Sequence, residues 1–230
     1  MEYVDDVNMW LRLKRNADNT YDTTQAQTAL NIISTWSENY GINVSISDSI
    51  IDTKTYGFIF TTSHLAPALP VNLTYRGIPL AIKNEAKMLG VTFDHNLNFE
   101  THVKSIINKA KLKLACINKI AGKDWGGSTG DTRAVCMTQV LPILTYACNV
   151  WVPLLNDGTL ATLKRTVNYT ARVISGLHHP TDVDSLYLEA NVLDIMKTVD
   201  DKVMAGVERH RRRPEGDPLR VKALGPTPRV

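Results

Sequence analysis

The sequence predicts an α+β chain. A mixed sheet with one long helix occupies residues 1–95, an all-helical part follows over 96–208, and a basic, proline-rich tail covers 209–230. Two observations predict this. Alternating apolar residues and turn pairs dominate the first part, whereas apolar residues at spacings of three and four dominate the second. The charge also changes along the chain. Residues 1–60 hold four basic and eight acidic side chains, residues 83–133 hold nine and five, and residues 197–230 again hold nine and five. Such an asymmetry suits a chain that holds metal in one place and a polyanion in others, although solvated helix faces produce charge runs too.

The elements follow in order. Glu2–Val4 and Val7–Lys14 read as two strands with Asp5 and Asp6 at the tip between them, and residues 15–21 as a loop. Thr23 or Thr24 can cap a helix whose apolar face is Ala26, Leu30, Ile33, Trp36 and Tyr40, stopped by Gly41. Residues 42–46 and 54–62 read as strands around the polar break Ser47–Asp52. Residues 73–80 read as a hairpin turning at Arg76-Gly77, and Met88–Phe93 as a last strand. The helical part opens at residue 100 with Val103, Ile106, Ile107, Ala110, Leu114, Ile117 and Ile120 on one face. Gly122 ends that helix. His95 and His102 flank its start, where they would cap or hydrate it. The glycine-rich loop 124–131 leads to a helix over 132–151, which Pro142 should kink. A helix over 158–175 stops at Gly176, and a last helical region spans 183–209.

Composition limits the classes. In 230 residues, 43% hydrophobic and 21% charged content excludes disorder and low complexity for most of the chain. No apolar run is read as approaching the ~20 residues of a membrane span, so no membrane partner is expected. The N-terminus carries acid where a signal peptide carries base. Cys116, Cys136 and Cys148 form no disulfide framework or metal spacing and fall on apolar helical faces, which implies core positions and an intracellular, reducing setting.

Asp5 and Asp6 are the sharpest chemical feature. A turn that fixes two carboxylates on one side can hold a hard divalent cation, magnesium or manganese, and two-metal phosphoryl transfer uses such carboxylates. Asp also suits turns on its own account. Lys104, Lys109, Lys111, Lys113, Lys119 and the run Arg209–Arg213 could contact a phosphate backbone. Trp125 and Trp151 could stack on bases, with a core role favoured for Trp151. His178-His179 reads as loop. Residues 126–130 match a phosphate loop in composition only, without its GKS or GKT ending.

Tyr3-Val4-Asp5-Asp6 lies between strands. A helix ending in Trp36 and Gly41 follows, then a strand, Lys54-Thr55, and Lys87–Asp94 (KMLGVTFD). This order resembles the later palm motifs of reverse transcriptases, in particular those of non-LTR (LINE-type, jockey/ingi-like) retrotransposons. The resemblance continues through LNFETHVKSIINKA (97–110), LPILTYACNVWVP (141–153), TARVISG (170–176), LEANVLDI (188–195) and ERHRRRPEGDPLR (208–220), collinear over nearly the whole chain. It implies a truncated palm over 1–95 and a helical thumb with its extension over 96–208. Asp5 would be the principal ligand of catalytic magnesium and Asp6 a weaker one. Tyr3 would lie against the primer or template backbone and Val4 near the incoming nucleotide. Lys54 would sit near the triphosphate, and Leu89-Gly90 would match the hairpin that grips the primer end. Contacts of Arg211, Arg212 and Arg213, with Lys104, Lys109, Lys111 and Lys113, to the nucleic-acid backbone are expected from charge alone, apart from the resemblance. RNA template and DNA primer are the implied partners.

The departures from the pattern are specific. The family's palm takes another aspartate from an earlier strand, and only Met1 and Glu2 stand before Tyr3. Ser47–Asp52 is longer than the family's spacing. Two carboxylates from one turn leave most of a magnesium coordination sphere to water. The expectation is therefore a polymerase fragment that lacks the fingers and the N-terminal half and is inactive alone. Two alternatives stand: a non-catalytic nucleic-acid-binding remnant, or a degenerate element product without activity.

Overall fold

A computed structural model describes residues 9–11, 13–16, 21–42, 44, 55–60, 71–121, 126–177, 179–217 and 220. The chain divides into two units, residues 1–87 with 94–97, and residues 88–93 with 98–230. Most of the expected first hairpin and the strand expected over 42–46 lie outside the described residues.

In the first unit, β1 (Lys14–Arg15) pairs antiparallel with β2 (Tyr21–Asp22). The Asp22 carboxylate then accepts from the Thr24 N–H at 3.0 Å, and hydrogen bonds from the Thr24 side chain first and its N–H second hold the Asp22 pKa below the usual carboxylate value. Helix α1 (Thr24–Asn39) follows, with Ala26, Leu30 and Ser37 buried. The sequence placed Trp36 and Tyr40 on the buried face, but both are exposed. The reason is that α1 is docked by polar contacts. Its partner is the hairpin of β4 (Thr74–Tyr75) and β5 (Ile78–Pro79). The Gln27 amide donates to the Thr74 carbonyl at 2.8 Å and accepts from its N–H at 3.0 Å, as a neighbouring strand would. The Ser37 hydroxyl shares a buried 3.0 Å hydrogen bond with the Tyr75 hydroxyl and accepts from Arg76 Nη2 at 2.9 Å. Arg76 and Gly77 turn this hairpin with positive φ at both, the primed-turn geometry that matches strand twist. Preceding it in the chain, β3 (Gly57–Phe58) pairs in parallel with β6 (Ile82–Lys83). His95 is no helix cap, because its Nδ1–H donates to the Ile59 carbonyl at 2.9 Å.

β7 (Glu85–Met88) and β8 (Val91–Asp94) pair with each other. Where one strand was expected over 88–93, the chain reverses at Leu89-Gly90, both with positive φ (46° and 83°).

The second unit is helical. Helix α2 (Glu100–Ile120) buries Val103, Ile106, Ile107, Ala110, Leu114 and Ile117 along the expected face, whereas Ile120, expected on the same face, is exposed at the last turn. Ser128 caps α3 (Thr129–Gln139) through a reciprocal capping box with Asp131, so the glycine-rich loop ends as a helix start. The single helix expected over 132–151 is broken. Val140 ends α3, α4 (Leu141–Thr145) follows with Pro142 in its first turn, and α5 (Cys148–Trp151) runs into a 3-10 turn over Val152–Leu154. Pro142 thus sits where its missing N–H costs nothing. Tyr146 is extended and Ala147 left-handed (φ 48°), which separates α4 from α5. Helix α6 (Asp157–Ser175) is capped by Asn156 and stopped by Gly176 at φ 68°. The last region is two helices, α7 (Val183–Ala190) and α8 (Ile195–Arg211), divided at left-handed Asn191. Helix α8 thus continues into the expected tail.

Two readings of the apolar residues change. Thr129–Leu154 is long and apolar enough to cross a membrane by length and composition, because Asp131 and Arg133 supply its only charges. No such run was read from the sequence. Its spaced residues Cys136, Val140, Leu144, Cys148 and Trp151 are all fully buried within the helical unit. Burial pushes the Cys136 thiol up to about 11. Cys116, expected in the core, is exposed.

Candidate functional site

Tyr3, Val4, Asp5, Asp6 and Lys54 lie outside the described residues, as do Glu2, Trp125 and His178. Among the described residues no group of three or more His, Cys, Asp or Glu side chains could hold a metal ion. The remaining candidates fall in the helical unit and its hairpin turn.

The turn is built from the helical unit's own side chains. Val91 and Phe99 are buried, and the rings of Phe93 and Phe99 meet edge to face at 5.3 Å. The Thr92 N–H donates to His102 Nδ1 at 3.3 Å. His102 is buried on α2, and its ring meets the Trp151 ring edge-on at 5.4 Å. Sequence reasoning placed His102 at the helix start as a cap, but its ring nitrogen serves the strand instead. Trp151 is 0% exposed, which confines its indole to the core. Its Nε1–H donates to the Tyr146 carbonyl at 2.9 Å, and the Tyr146 hydroxyl donates to the Leu89 carbonyl at 2.8 Å. Leu89 itself is 83% exposed. Tyr146 was missed in the sequence because its partner lies 57 positions away. The only local signal was an aromatic residue inside an apolar run.

The lysines of α2 do not form one stripe. All of Lys104, Lys109, Lys111, Lys113 and Lys119 are exposed, but helical geometry divides them. At 3.6 residues per turn, Lys109 and Lys113 fall within about 20° of His102 around the axis. By the same geometry Lys104 and Lys111 share a line with Asn118 on the other flank of the buried face. Contacts fix these flanks. Asn118 donates to the Tyr169 hydroxyl of α6 at 2.7 Å, and Lys104 lines a 240 Å³ cleft with Asn156, Gly158, Thr159 and Thr162 at the start of α6. Lys104 is also paired with Glu100 at 2.7 Å. Lys109 and Lys113 therefore mark the edge that carries His102.

The arginine run is partly committed. Arg212 pairs with Glu208 and Arg213 with Asp217, both at 3.1 Å, and Arg220 Nη1 donates to the Arg213 carbonyl at 3.0 Å. Arg211 lies exposed in the last turn of α8. Internal carboxylates thus offset part of the charge that the sequence assigned to phosphate.

His102 makes stability depend on pH. Burial, with Lys109 adding like charge, holds its pKa below the ordinary 6.5. Protonation also removes the Nδ1 acceptor used by Thr92. The unfolded chain therefore takes up this proton first as pH falls. Stability is fully present above about pH 6.5, declines as pH drops below it, and levels off beneath the lowered folded value. Urea midpoints at about pH 7.5 and about pH 5 should show the loss, and His102→Asn, which keeps an acceptor without titrating, should remove this component.

The class of protein that this chain resembles is the RNA-directed DNA polymerases of transposons. One such relative is the probable RNA-directed DNA polymerase from transposon X-element of Drosophila melanogaster. The chain is 26% identical to it over 178 residues, covering 76% of this chain and 18% of that protein. This likeness supports a reverse-transcriptase relationship for the chain. No family model matches, and no solved structure matches.

Proposed function

We propose that this chain is the end of the palm and the helical thumb of a non-LTR, LINE-type retrotransposon reverse transcriptase, and that its helical unit holds the primer–template duplex. The observation that carries the proposal is the likeness to a transposon polymerase over 76% of the chain, in a sequence whose motif order resembles palm followed by thumb. The Leu89-Gly90 turn would meet the primer end, and Lys109 and Lys113 would neutralise backbone phosphates. The reading of Lys104 is narrower, since Glu100 already occupies it.

Asp5 and Asp6 would hold magnesium, or manganese, in the intact enzyme, where the metals would stabilise the attacking and leaving oxygens of nucleotidyl transfer. Within this chain the pair supplies two carboxylates adjacent in sequence. That set leaves the ions mostly hydrated, and the chain alone is expected to bind duplex without extending it. The remaining polymerase segments would complete the metal site.

Titration with an RNA–DNA hybrid carrying a recessed DNA 3′ end tests the binding reading. The logarithm of the affinity should fall linearly with the logarithm of salt, with little dependence on sequence. Absence of binding at about 50 mM salt would overturn it.

A further inference from the structure

The geometry points to Tyr146 as a positioning residue that locks the backbone of the Leu89-Gly90 turn to the helical unit, so that the turn meets nucleic acid as a rigid tip. The role at nucleic acid rests on the function proposed above; the lock itself does not.

Four observations converge on this assignment. The Tyr146 hydroxyl donates to the Leu89 carbonyl at 2.8 Å, a main-chain contact that does not depend on the side chain of residue 89. The Tyr146 ring also closes against the other turn residue, since a Cβ added to Gly90 would stand 3.4 Å from Tyr146 Cε1. Tyr146 is itself held from behind, its carbonyl accepting from the buried Trp151 indole at 2.9 Å. Finally, the helix is interrupted at this place. Tyr146 is extended and Ala147 takes a left-handed φ of 48°, a conformation that costs a non-glycine residue. An uninterrupted helix would carry residue 146 on the ordinary helical path, so the break and the contact belong together.

The turn shows the same preference for position over local comfort. A two-residue turn with positive φ at both places favours Asn-Gly, yet Leu89 occupies the first at φ 46°. Its apolar side chain is 83% exposed. An apolar group displayed on unfavourable backbone, over a main chain clamped from beneath, fits a contact surface better than a core element. Thr92 and His102 anchor the outgoing strand of the same turn at 3.3 Å, so the tip is tied to the helical unit at two points.

The test uses the full 230-residue chain with Tyr146→Phe, which removes only the hydroxyl, and Tyr146→Ala, which removes the ring as well. Hydrogen exchange of peptides covering residues 88–93 is measured beside affinities for recessed-end and blunt RNA–DNA hybrids. Loss of one hydrogen bond should speed exchange at 88–93 about fivefold in the Phe variant and further in the Ala variant. The urea midpoint of the Phe variant should stay close to wild type. Binding to the recessed end should weaken several-fold while blunt-duplex binding is kept, a selectivity that a merely structural role would not produce. Unchanged exchange at 88–93 in both variants would overturn the lock. Faster exchange with the recessed-over-blunt preference intact would overturn the positioning role. A wild-type chain that binds neither duplex overturns the functional reading and the role at nucleic acid together, and the exchange measurement then decides the lock alone.

Discussion

Trp151→Ala is expected to destabilise the helical unit by about 3–5 kcal/mol, measured as a shift in urea-unfolding free energy. The indole is fully buried, lies edge-on to His102 at 5.4 Å, and donates to the Tyr146 carbonyl at 2.9 Å. Truncation removes the largest side chain of this core and leaves a carbonyl without its donor, so cavity and hydrogen-bond losses add. Domains of this size are stable by only about 5–15 kcal/mol, so the variant should be close to unfolding at ambient temperature. Trp36→Ala provides the contrast. That ring is 45% exposed and meets Tyr40 at 5.6 Å, and its loss should cost about 1 kcal/mol or less. A loss below about 1 kcal/mol for Trp151→Ala would contradict the placement of its ring in the core.

The second large effect concerns binding. Substituting both Lys109 and Lys113 by Ala is expected to lower affinity for the hybrid duplex by tens of fold at about 0.1 M salt and to reduce the salt slope by about two. Substituting Lys104 and Lys111 instead should change affinity little. The two pairs have the same charge and lie on the same helix, α2, and they differ in the flank they occupy. Lys104 lines the cleft beside α6 and pairs with Glu100, whereas Lys109 and Lys113 follow His102, which receives the Thr92 N–H. Equal losses for the two pairs would show that the edge has no preference.

Much of the helical unit was legible because its physics is local. The buried face of α2 repeats every three to four residues, and Gly176 marks the end of α6 with the left-handed φ that glycine takes without steric cost. Most of the failures share a cause, pairing over long sequence distances. Ser37 is buried in place of Trp36 because Tyr75 and Arg76 reach it from 38 and 39 positions away. Residues 85–94 form a hairpin where a single strand was expected. The turn at Leu89 lacks the usual Asn, and its clamp comes from Tyr146. The uncharged stretch after Arg133 looks uniform, yet left-handed Ala147 breaks it without a glycine to announce the break. The site was legible in a different way. Asp5 and Asp6 stand out through motif order and lie outside the described residues, whereas the Tyr146 contact emerged only from tertiary geometry.

Primer extension with magnesium and all four deoxynucleotides, on a recessed RNA–DNA hybrid held at saturation by the purified 230-residue chain, decides whether the chain binds without polymerising. The hybrid should be bound and the primer should not be lengthened. Template-directed extension that disappears in Asp5→Ala would contradict this, by showing that Asp5 and Asp6 belong to a working metal site within this chain.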